Sequence, residues 1–189
     1  GTSFNRLGHS ISGYGGPILF VFKHVDKKTI GDSTEPSSCI FGAFSTHVWK
    51  EELAYQGTNE MFIFSLLPKY KQFQAYRGDG GKNYSYFNTR KIANSKFKVG
   101  LGFGGSDFKD FRLWIDEDME SASYSYPDDA TYEKGYIIRP DISKLDIQQI
   151  EIWGLGGEAA LQQQEMIRAL EAEQIEKMRK VDKKELLSN

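Results

Sequence analysis

The chain has 189 residues, 14% of them aromatic, and a formal net charge of −2 at pH 7. This length allows one domain with a substantial core and a smaller appendage. A chain this close to neutral lacks the basic footprint of a general nucleic-acid binder. No apolar run approaches the ~20 residues that cross a bilayer. We therefore expect neither nucleic-acid binding nor a membrane-spanning helix.

The only cysteine is Cys39, so no internal disulfide can form. A chain without disulfides fits a reducing compartment, and we expect a cytoplasmic protein. A lone cysteine entering an aromatic strand is more often a small buried hydrophobe than a nucleophile. A peroxide-scavenging thiol would usually need a second, resolving cysteine.

The first third of the chain alternates short predicted elements with turns. Thr2 or Ser3 can cap a short helix that runs through Leu7. Residues 17–25 form a continuous apolar run, which is typical of a largely buried strand. The polar stretch at 26–38 is predicted to be a loop.

The middle of the chain predicts further strands. Residues 40–44 form one of them, and Gly42 in its interior indicates a close backbone approach or a bulge. Residues 46–54 are predicted to form one or two helical turns. Residues 61–66 and 72–76 are predicted to be adjacent antiparallel strands.

The later strands show clearer patterns. Along 111–115, the apolar residues Phe111, Leu113 and Ile115 share one face, as on a strand with one buried face. Residues 145–153 are predicted to form the last strand, and its apolar phase slips between Ile147 and Ile150, which indicates a bulge. Strands joined by short turns, with few helices between them, predict an antiparallel two-sheet β core.

The composition changes after the glycines at 154–157. Residues 158–189 contain no glycine, proline or aromatic residue and consist mainly of good helix formers. A helix of this length would measure about 45 Å, more than a small domain is wide, so much of it should project. At helical periodicity one broad apolar arc contains Ala160, Ile167, Leu170, Ile175, Met178 and Val181.

The terminal helix has three possible arrangements. It can fold back on the domain, form a coiled coil or insert into a groove of a partner. Glu171, Gln174 and Lys177 break the heptad that a coiled coil requires. The pattern therefore favours a partner groove or docking within the chain.

Three features could bind a cofactor or a metal, and each fits a simpler structural role better. Residues 100–105 match G-x-G-x-x-G, but an alternating strand follows where the dinucleotide motif needs a helix. Residues 116–120 could bind a hard cation, but Ser121 stands where an EF-hand loop needs glycine. The histidines, which share no metal-ligand spacing, are His9, His24 and His47. We predict no cofactor and no metal.

Glu60 is the most interesting carboxylate because it stands between a turn and a strongly apolar strand. It could accept backbone N–H bonds and hold a loop, or it could be an acid with a raised pKa. No second carboxylate or base must pair with it, so the structural role is favoured. We therefore predict no catalytic residue.

Five motifs join β-prone aromatic segments to glycines or acids at fixed distances. They lie at residues 40–49, 57–64, 101–105, 113–118 and 150–153. In this order they resemble the TLDc domain, the module shared by oxidation-resistance proteins, some nuclear-receptor coactivators and EAK-7-like proteins. The motif positions are Gly42, Phe44, Trp49, Gly57, Glu60, Trp114, Asp116, Glu117, Asp118 and Trp153. Residues 78–98 match poorly, and the glycines that follow Trp153 replace the aromatic ending usual in animal members.

The resemblance implies a β-sandwich flanked by short helices and no agreed active site. We predict a mainly β fold, a two-sheet antiparallel β-sandwich with short flanking helices and a long C-terminal α-helix. The TLDc-like domain would occupy residues 1–157 and an amphipathic helix residues 158–189. Relatives usually carry another strand or helix upstream, so we expect the natural protein to begin earlier.

The resemblance also implies function. TLDc proteins are associated with protection against oxidative stress and with binding to the vacuolar-type proton ATPase, at its peripheral stalk and catalytic head. EAK-7-like members carry a helix after the domain that reaches into the pump, and residues 158–187 look like this extension. We expect a non-enzymatic regulator, recruited from the cytoplasm to the cytosolic face of the vacuole or lysosome. The helix would bury Ile167, Leu170, Ile175, Met178 and Val181 in a pump subunit.

Two alternatives stay open. The chain could be a hydrolase or peroxide-handling enzyme that uses Glu60 or Cys39. It could also be a scaffold in another assembly, which its binding partners would distinguish from a pump regulator.

Overall fold

The computed structural model of the chain describes residues 3–25, 38–78, 80–123, 129–140 and 143–187, without the side chains of 181–187. Over these residues it contains two α-helices and eleven β-strands. The helices are α1, Phe4–Ile11, and α2, Gly157–Leu187. The strands are β1 Ile18–Val25, β2 Ser38–Ser45, β3 Glu52–Gln56, β4 Phe62–Leu67, β5 Lys71–Gln74, β6 Ser85–Asn88, β7 Gly100–Phe103, β8 Leu113–Asp116, β9 Ser121–Ser123, β10 Lys144–Asp146 and β11 Gln149–Gly154.

The strands form two antiparallel sheets. The first has the order β11-β1-β2-β4-β5 and the second the order β10-β9-β8-β7-β6-β3. The main core lies between them, where Phe20 and Phe41 of the first sheet share one buried cluster with Phe87 and Phe103 of the second. This arrangement confirms the predicted mainly β sandwich with a long C-terminal helix, and the predicted pairing of β4 with β5 is confirmed as well.

Only alternate residues of β1 are buried, although the sequence predicts a strand buried along its length. Ile18, Phe20 and Phe22 point into the core, and the residues between them are half-buried on the outer face. An antiparallel sheet of a sandwich covers the core with one face only, so apolar residues on its other face keep part of their surface exposed.

Helix α1 begins as predicted but runs further. Ser3 is its N-cap, and its hydroxyl accepts a hydrogen bond from the Arg6 N–H group at 3.4 Å. Thr2 lies outside the described residues. The helix passes the predicted end at Leu7 and continues to Ile11, because both side chains are buried on the same face.

β2 contains the predicted close approach. A Cβ atom on Gly42 would lie 2.7 Å from the Phe64 ring and would collide with the Phe20 carbonyl oxygen, so only glycine fits. A register shift nearby marks an irregularity in the pairing of β2 with β4. The predicted loop at 26–38 lies outside the described residues except for Ser38, which begins β2.

The prediction of helical turns at residues 46–54 is wrong. Trp49 forms an isolated bridge with Ser12, and β3 follows shortly after. The Gln56 side chain accepts a hydrogen bond from the Lys50 N–H (3.0 Å) and donates one to the Lys50 carbonyl (2.7 Å). These backbone groups therefore need no helical partner, and burial of the Trp49 side chain overrides the local helix propensity.

The prediction of one bulged strand at 145–153 is also wrong, because the chain changes sheet there. β10 belongs to the second sheet and β11 to the first. Between them, the Ile147 N–H donates to the Glu120 carbonyl at 2.6 Å, whereas the Gln148 N–H donates to the Lys23 carbonyl at 2.9 Å. The slip in the apolar pattern therefore marks the crossing from one side of the core to the other.

A buried ion pair holds the segment at 129–135 against the start of β8. The guanidinium of Arg112 lies 3.4 Å from the Asp129 carboxylate, and both side chains are almost fully buried. It also donates to the carbonyls of Glu133 and Gly135 and lies 5.1 Å from the centre of the Phe73 ring. Burial raises the pKa of Asp129, and its backbone hydrogen bonds and Arg112 oppose that rise.

Candidate interaction surface

The first turns of α2 dock on the end of α1. The Gln164 side chain is buried and its amide donates to the carbonyls of Ser10 (2.9 Å) and Ser12 (2.7 Å). The Arg168 guanidinium donates to the His9 carbonyl. The last carbonyls of a helix lack partners within the helix and carry partial negative charge, so an amide and a cation stabilise this end.

On the faces that do not contact the domain, both at this docked base and beyond it, α2 presents apolar side chains to solvent. Ion pairs one turn apart, Glu173 to Lys177 (2.7 Å) and Glu176 to Lys180 (3.4 Å), support the helix from its polar side. Apolar side chains rimmed by charges are typical of surfaces that bind other proteins. The large apolar side chains of α2 that are more than half exposed are Leu161, Met166, Leu170, Ile175 and Met178.

The residues predicted to contact a partner have two environments. Ile167 is half-buried, and its side chain lies over Gly13 of the domain. Val181 lies in α2, but its side chain is outside the described part of the chain. Ile167 therefore belongs to the docked base, and a partner would find free apolar surface further along the helix. The exposed members of the set are Leu170, Ile175 and Met178.

A groove of about 670 Å³ separates the middle of α2 from the domain. Ile175 and Met178 line it from the helix, and the stretch at 48–52 and part of α1 line it from the domain. Because these apolar side chains overhang the groove without filling it, the helix has apolar surface available on the side that faces the domain as well.

A buried polar cluster lies beneath the turn that follows β2. The Nδ1 atom of His47 lies 2.9 Å from the Ser45 hydroxyl, and its Nε2 atom lies 3.4 Å from the Ser85 hydroxyl. Ser85 donates to the Gln56 carbonyl at 2.9 Å, and the imidazole packs on Trp49 with 4.6 Å between ring centres. Both serines are fully buried, which suits a structural network.

Glu60 lies in a neighbouring turn and is exposed. Its carboxylate accepts a hydrogen bond from the Thr46 hydroxyl at 3.2 Å, and its own N–H donates to the Thr58 hydroxyl at 3.3 Å. Glu60 thus joins two loops through threonine hydroxyls. No local sequence pattern indicates the His47 cluster, because Ser45 and Ser85 come from separate strands.

The His47 cluster predicts a loss of stability in mild acid. Burial lowers the pKa of His47 from 6.5 to about 4. Between these two values the unfolded chain binds a proton that the folded chain does not, so stability falls as the pH falls through this window. We expect a loss of up to about 3 kcal/mol in urea unfolding from pH 7 to pH 4, at 1.36 kcal/mol per pKa unit. An unchanged pH dependence in His47→Gln would place the responsible group elsewhere.

The acidic stretch after β8 is a tight turn organised by Asp118. Its carboxylate accepts hydrogen bonds from the Glu120 N–H (2.8 Å), the Ser121 N–H (3.0 Å) and the Ser121 hydroxyl (2.6 Å). Partial burial raises the pKa of Asp118, but these three bonds together outweigh it, so its pKa is lowered. Asp116 and Glu117 lie at the start of the same turn, where the Glu117 N–H donates to Asp116 at 2.7 Å.

The other candidate chemical features have structural positions. Cys39 is buried in β2, and the glycines at 100–105 form β7 and the turn after it. Within the described residues, no three His, Cys, Asp or Glu side chains are grouped closely enough to hold a metal ion. Over the same residues, no helix is long and apolar enough to cross a membrane.

The profile of the TLDc domain family matches residues 1–156. The chain belongs to the TLDc family. This confirms the resemblance carried by the sequence motifs. The match covers the sandwich and ends where α2 begins, so α2 lies beyond the family domain.

Curated relatives of this TLDc protein contain the domain within longer chains. It is 30% identical to the MTOR-associated protein MEAK7 of Gallus gallus over 82% of this chain and 29% of the relative. It is 31% identical to MEAK7 of Danio rerio over 82% of this chain and 30% of the relative. With nuclear receptor coactivator 7 of Mus musculus the identity is 29%, over 81% of this chain and 13% of the relative. The chain thus spans less than a third of the length of these relatives.

The motif positions of this TLDc protein fall into buried and exposed groups. Trp49 is fully buried, and its ring packs in edge-to-face geometry against Phe20, Phe87 and Phe103, with 5.4 to 6.2 Å between ring centres. The buried or half-buried positions that shape the sandwich are Gly42, Phe44, Trp49, Gly57, Trp114 and Asp116. The positions open to a partner are Glu60, Glu117, Asp118 and Trp153.

Proposed function

We propose that this TLDc protein is a non-enzymatic regulator of the vacuolar-type proton ATPase. Its sandwich would contact the peripheral stalk and catalytic head, and α2 would insert exposed apolar side chains into a groove of a pump subunit. The pump would recruit the protein from the cytoplasm to the cytosolic face of the vacuole or lysosome.

Family membership supports a regulatory role that acts through protein contacts. The MEAK7 relatives are named for association with MTOR and the other relative as a coactivator of nuclear receptors. Both names describe proteins that work through other proteins. The choice of the pump as the partner rests on the resemblance of residues 158–187 to the extension of EAK-7-like members.

The observation that carries the proposal is the exposed apolar surface of α2 beyond its docked base. Leu170, Ile175 and Met178 are already partly buried, so each would gain about 1–2 kcal/mol if a partner buried it fully. The base of the helix is held by Gln164, so these side chains are presented from a helix that is already formed and oriented.

The surroundings of the two candidate catalytic residues support a non-enzymatic role. Cys39 is only 6% exposed and is the only cysteine, so neither an accessible thiolate nor a resolving partner is at hand. Glu60 is exposed, so no enclosed site surrounds its carboxylate. A contribution to oxidative-stress resistance would then follow from regulation of the pump rather than from thiol chemistry.

The double variant Leu170→Asp/Met178→Asp should lose pump binding. Both side chains are exposed, so the domain should keep its stability while the helix loses two apolar anchors and gains two charges. We expect retention of purified vacuolar-type ATPase on the immobilised chain to fall at least about tenfold, since each buried anchor contributes more than 1 kcal/mol.

The matched control is Ala169→Asp/Ala172→Asp, which adds the same two charges outside the apolar arc of α2. This control should retain the pump as the unchanged chain does. Equal losses in both variants would attribute the effect to charge or helix stability. Full retention by the Leu170→Asp/Met178→Asp variant would exclude insertion of α2, and no retention by the unchanged chain would exclude the pump as partner.

A further inference from the structure

The edge strand β11 leaves part of its backbone without hydrogen-bond partners. The Leu155 N–H donates to the Pro17 carbonyl at 2.8 Å, which sets the alternation of bonds along the β1–β11 ladder. Glu151 and Trp153 therefore bond to β1, while the N–H and C=O groups of Ile150 and Ile152 point away from it. Among the described residues, β11 pairs with no strand other than β1, and no turn or loop backbone group bonds to these outward groups.

The far edge of the same sheet is covered. Along β5 and the residues after it, the Tyr76 N–H donates to the Thr131 carbonyl at 2.8 Å, and the Glu133 N–H donates to the Gln74 carbonyl at 3.0 Å. The segment at 129–135 thus acts as the neighbour that β11 lacks.

The edges of the second sheet are protected in other ways. β10 has only three residues, and the exposed charges of Lys144 and Asp146 stand on it. β3 begins at Glu52 and pairs irregularly with β6, because the register shifts before Tyr55. Short, charged and irregular edges are the usual means of preventing added strands. β11 is longer and pairs regularly with β1. Its one charged residue, Glu151, accepts hydrogen bonds from the Gln149 and Trp153 side chains, so the strand is less protected than the other edges.

A cleft of about 1090 Å³ runs beside β11. It lies between α1, β11, the base of α2 and the turns near 118–120 and 146–149. The volume lies at the upper end of what is typical of small-molecule sites and leaves room for side chains of a peptide. Its apolar lining includes Leu7, Ile11, Met119, Ile150, Ile152 and Leu161.

The charged groups at the cleft are mostly acidic. Asp118, Glu120 and Asp146 line the end next to the turns, against one base, Arg6. A ligand with a cation at that end would therefore meet complementary charge. A strand offers both the backbone groups that the edge lacks and side chains on alternate positions for the apolar lining.

We propose that β11 accepts an extended segment of a partner protein as an added strand. Alternate apolar side chains of this segment lie in the cleft beside Ile150 and Ile152, and a lysine or arginine lies near Glu120 and Asp146. This site is separate from the exposed surface of α2 and does not depend on the identity of the proposed pump partner.

The test uses a fluorescein-labelled octapeptide of alternating valine and threonine with a terminal lysine. In the full chain alone, the amides of Ile150 and Ile152 should exchange with solvent quickly and those of Glu151 and Trp153 slowly. Saturating peptide should slow exchange at Ile150 and Ile152 at least about tenfold, because each N–H gains a hydrogen bond. N-methylation of the peptide groups facing β11 should weaken binding at least about tenfold, since the side chains stay and the bonds are lost.

Two variants complete the test. Ile152→Pro removes an outward N–H without touching the ladder to β1 and should abolish peptide binding. Trp153→Ala, on the opposite face, should bind the peptide as the unchanged chain does, and so should Leu170→Asp/Met178→Asp. The last comparison separates this site from the proposed function of α2.

Several results would overturn the proposal. They are equal binding of the N-methylated peptide, no protection of Ile150 and Ile152 at millimolar peptide, and slow exchange of both amides in the free monomer. The last result would mean that the chain covers this edge by itself. Protection that grows with protein concentration, together with a dimer in sedimentation, would assign the edge to a second copy of the chain.

Discussion

Trp49→Ala should lower the free energy of unfolding by about 3–5 kcal/mol, the usual cost of removing a buried aromatic side chain. Trp49 is fully buried where both sheets meet, and it touches Phe20, Phe87 and Phe103. No residue can collapse into the space without moving another ring. Because domains are stable by only about 5–15 kcal/mol, this loss would be a large fraction of the total free energy of unfolding. Urea unfolding monitored by circular dichroism measures the change.

Trp153→Ala is the matched control, since Trp153 is 55% exposed and its indole only donates to Glu151 at 3.1 Å. It should change stability by less than about 0.5 kcal/mol. Trp49→Phe should cost much less than Trp49→Ala. It keeps an aromatic ring and removes an indole N–H that has no hydrogen-bond partner among the described residues. Equal losses for Trp49→Ala and Trp153→Ala would contradict the central role of Trp49.

Arg112→Met should also cost about 3–5 kcal/mol, because it leaves the Asp129 carboxylate buried without its cation. The substitution also removes the guanidinium that donates to the Glu133 and Gly135 carbonyls. These bonds hold the segment at 129–135 against the sheet. Methionine keeps much of the apolar contact with Phe73, so the loss of stability mainly measures the effect of the missing charge and not of altered packing.

The loss of unfolding free energy caused by Arg112→Met should be smaller in acid than at neutral pH. Burial raises the pKa of Asp129, so the folded chain binds this proton more readily than the unfolded chain. The penalty for the buried charge is absent below the ordinary carboxyl pKa and develops as the pH rises through the raised one. Comparing urea unfolding of variant and parent at pH 4 and pH 7 tests this sign.

The control for Arg112→Met is Arg90→Met. Arg90 lies 3.3 Å from Glu51, but its side chain is 72% exposed, so its loss should cost less than about 1 kcal/mol. A deficit of Arg112→Met that is independent of pH would show that Asp129 does not become an uncompensated charge in the variant.

Alternation and motif spacing sufficed to predict the architecture of the sandwich. Leu113 and Ile115 of β8 lie in the main core, as their spacing predicts, whereas Trp114 lies in a separate cluster. A side chain at Gly42 would collide with its neighbours, which fits the predicted close approach. The composition of residues 158–189 predicts α2 from local information too, since most residues there are good helix formers.

The misassigned parts depend on contacts between distant residues. Gln56 closes the turn at Lys50, and nothing between 46 and 54 indicates this bond. The change of sheet after β10 requires Ile147 and Gln148 to bond to opposite sides of the molecule, which a local pattern presents only as a phase slip. The open edge of β11 follows from the order of the strands in the first sheet, which no local pattern specifies.

The contact of Gln164 with the end of α1 determines the orientation of the whole of α2 relative to the sandwich. Beyond Arg168 the helix runs on to Leu187, roughly 28 Å at 1.5 Å per residue, so a tilt of about 10° at the base would move its tip by about 5 Å. Two hydrogen bonds at one end therefore fix where the other end points. A partner would meet a helix whose orientational entropy was already lost during folding, and that cost would not recur on association.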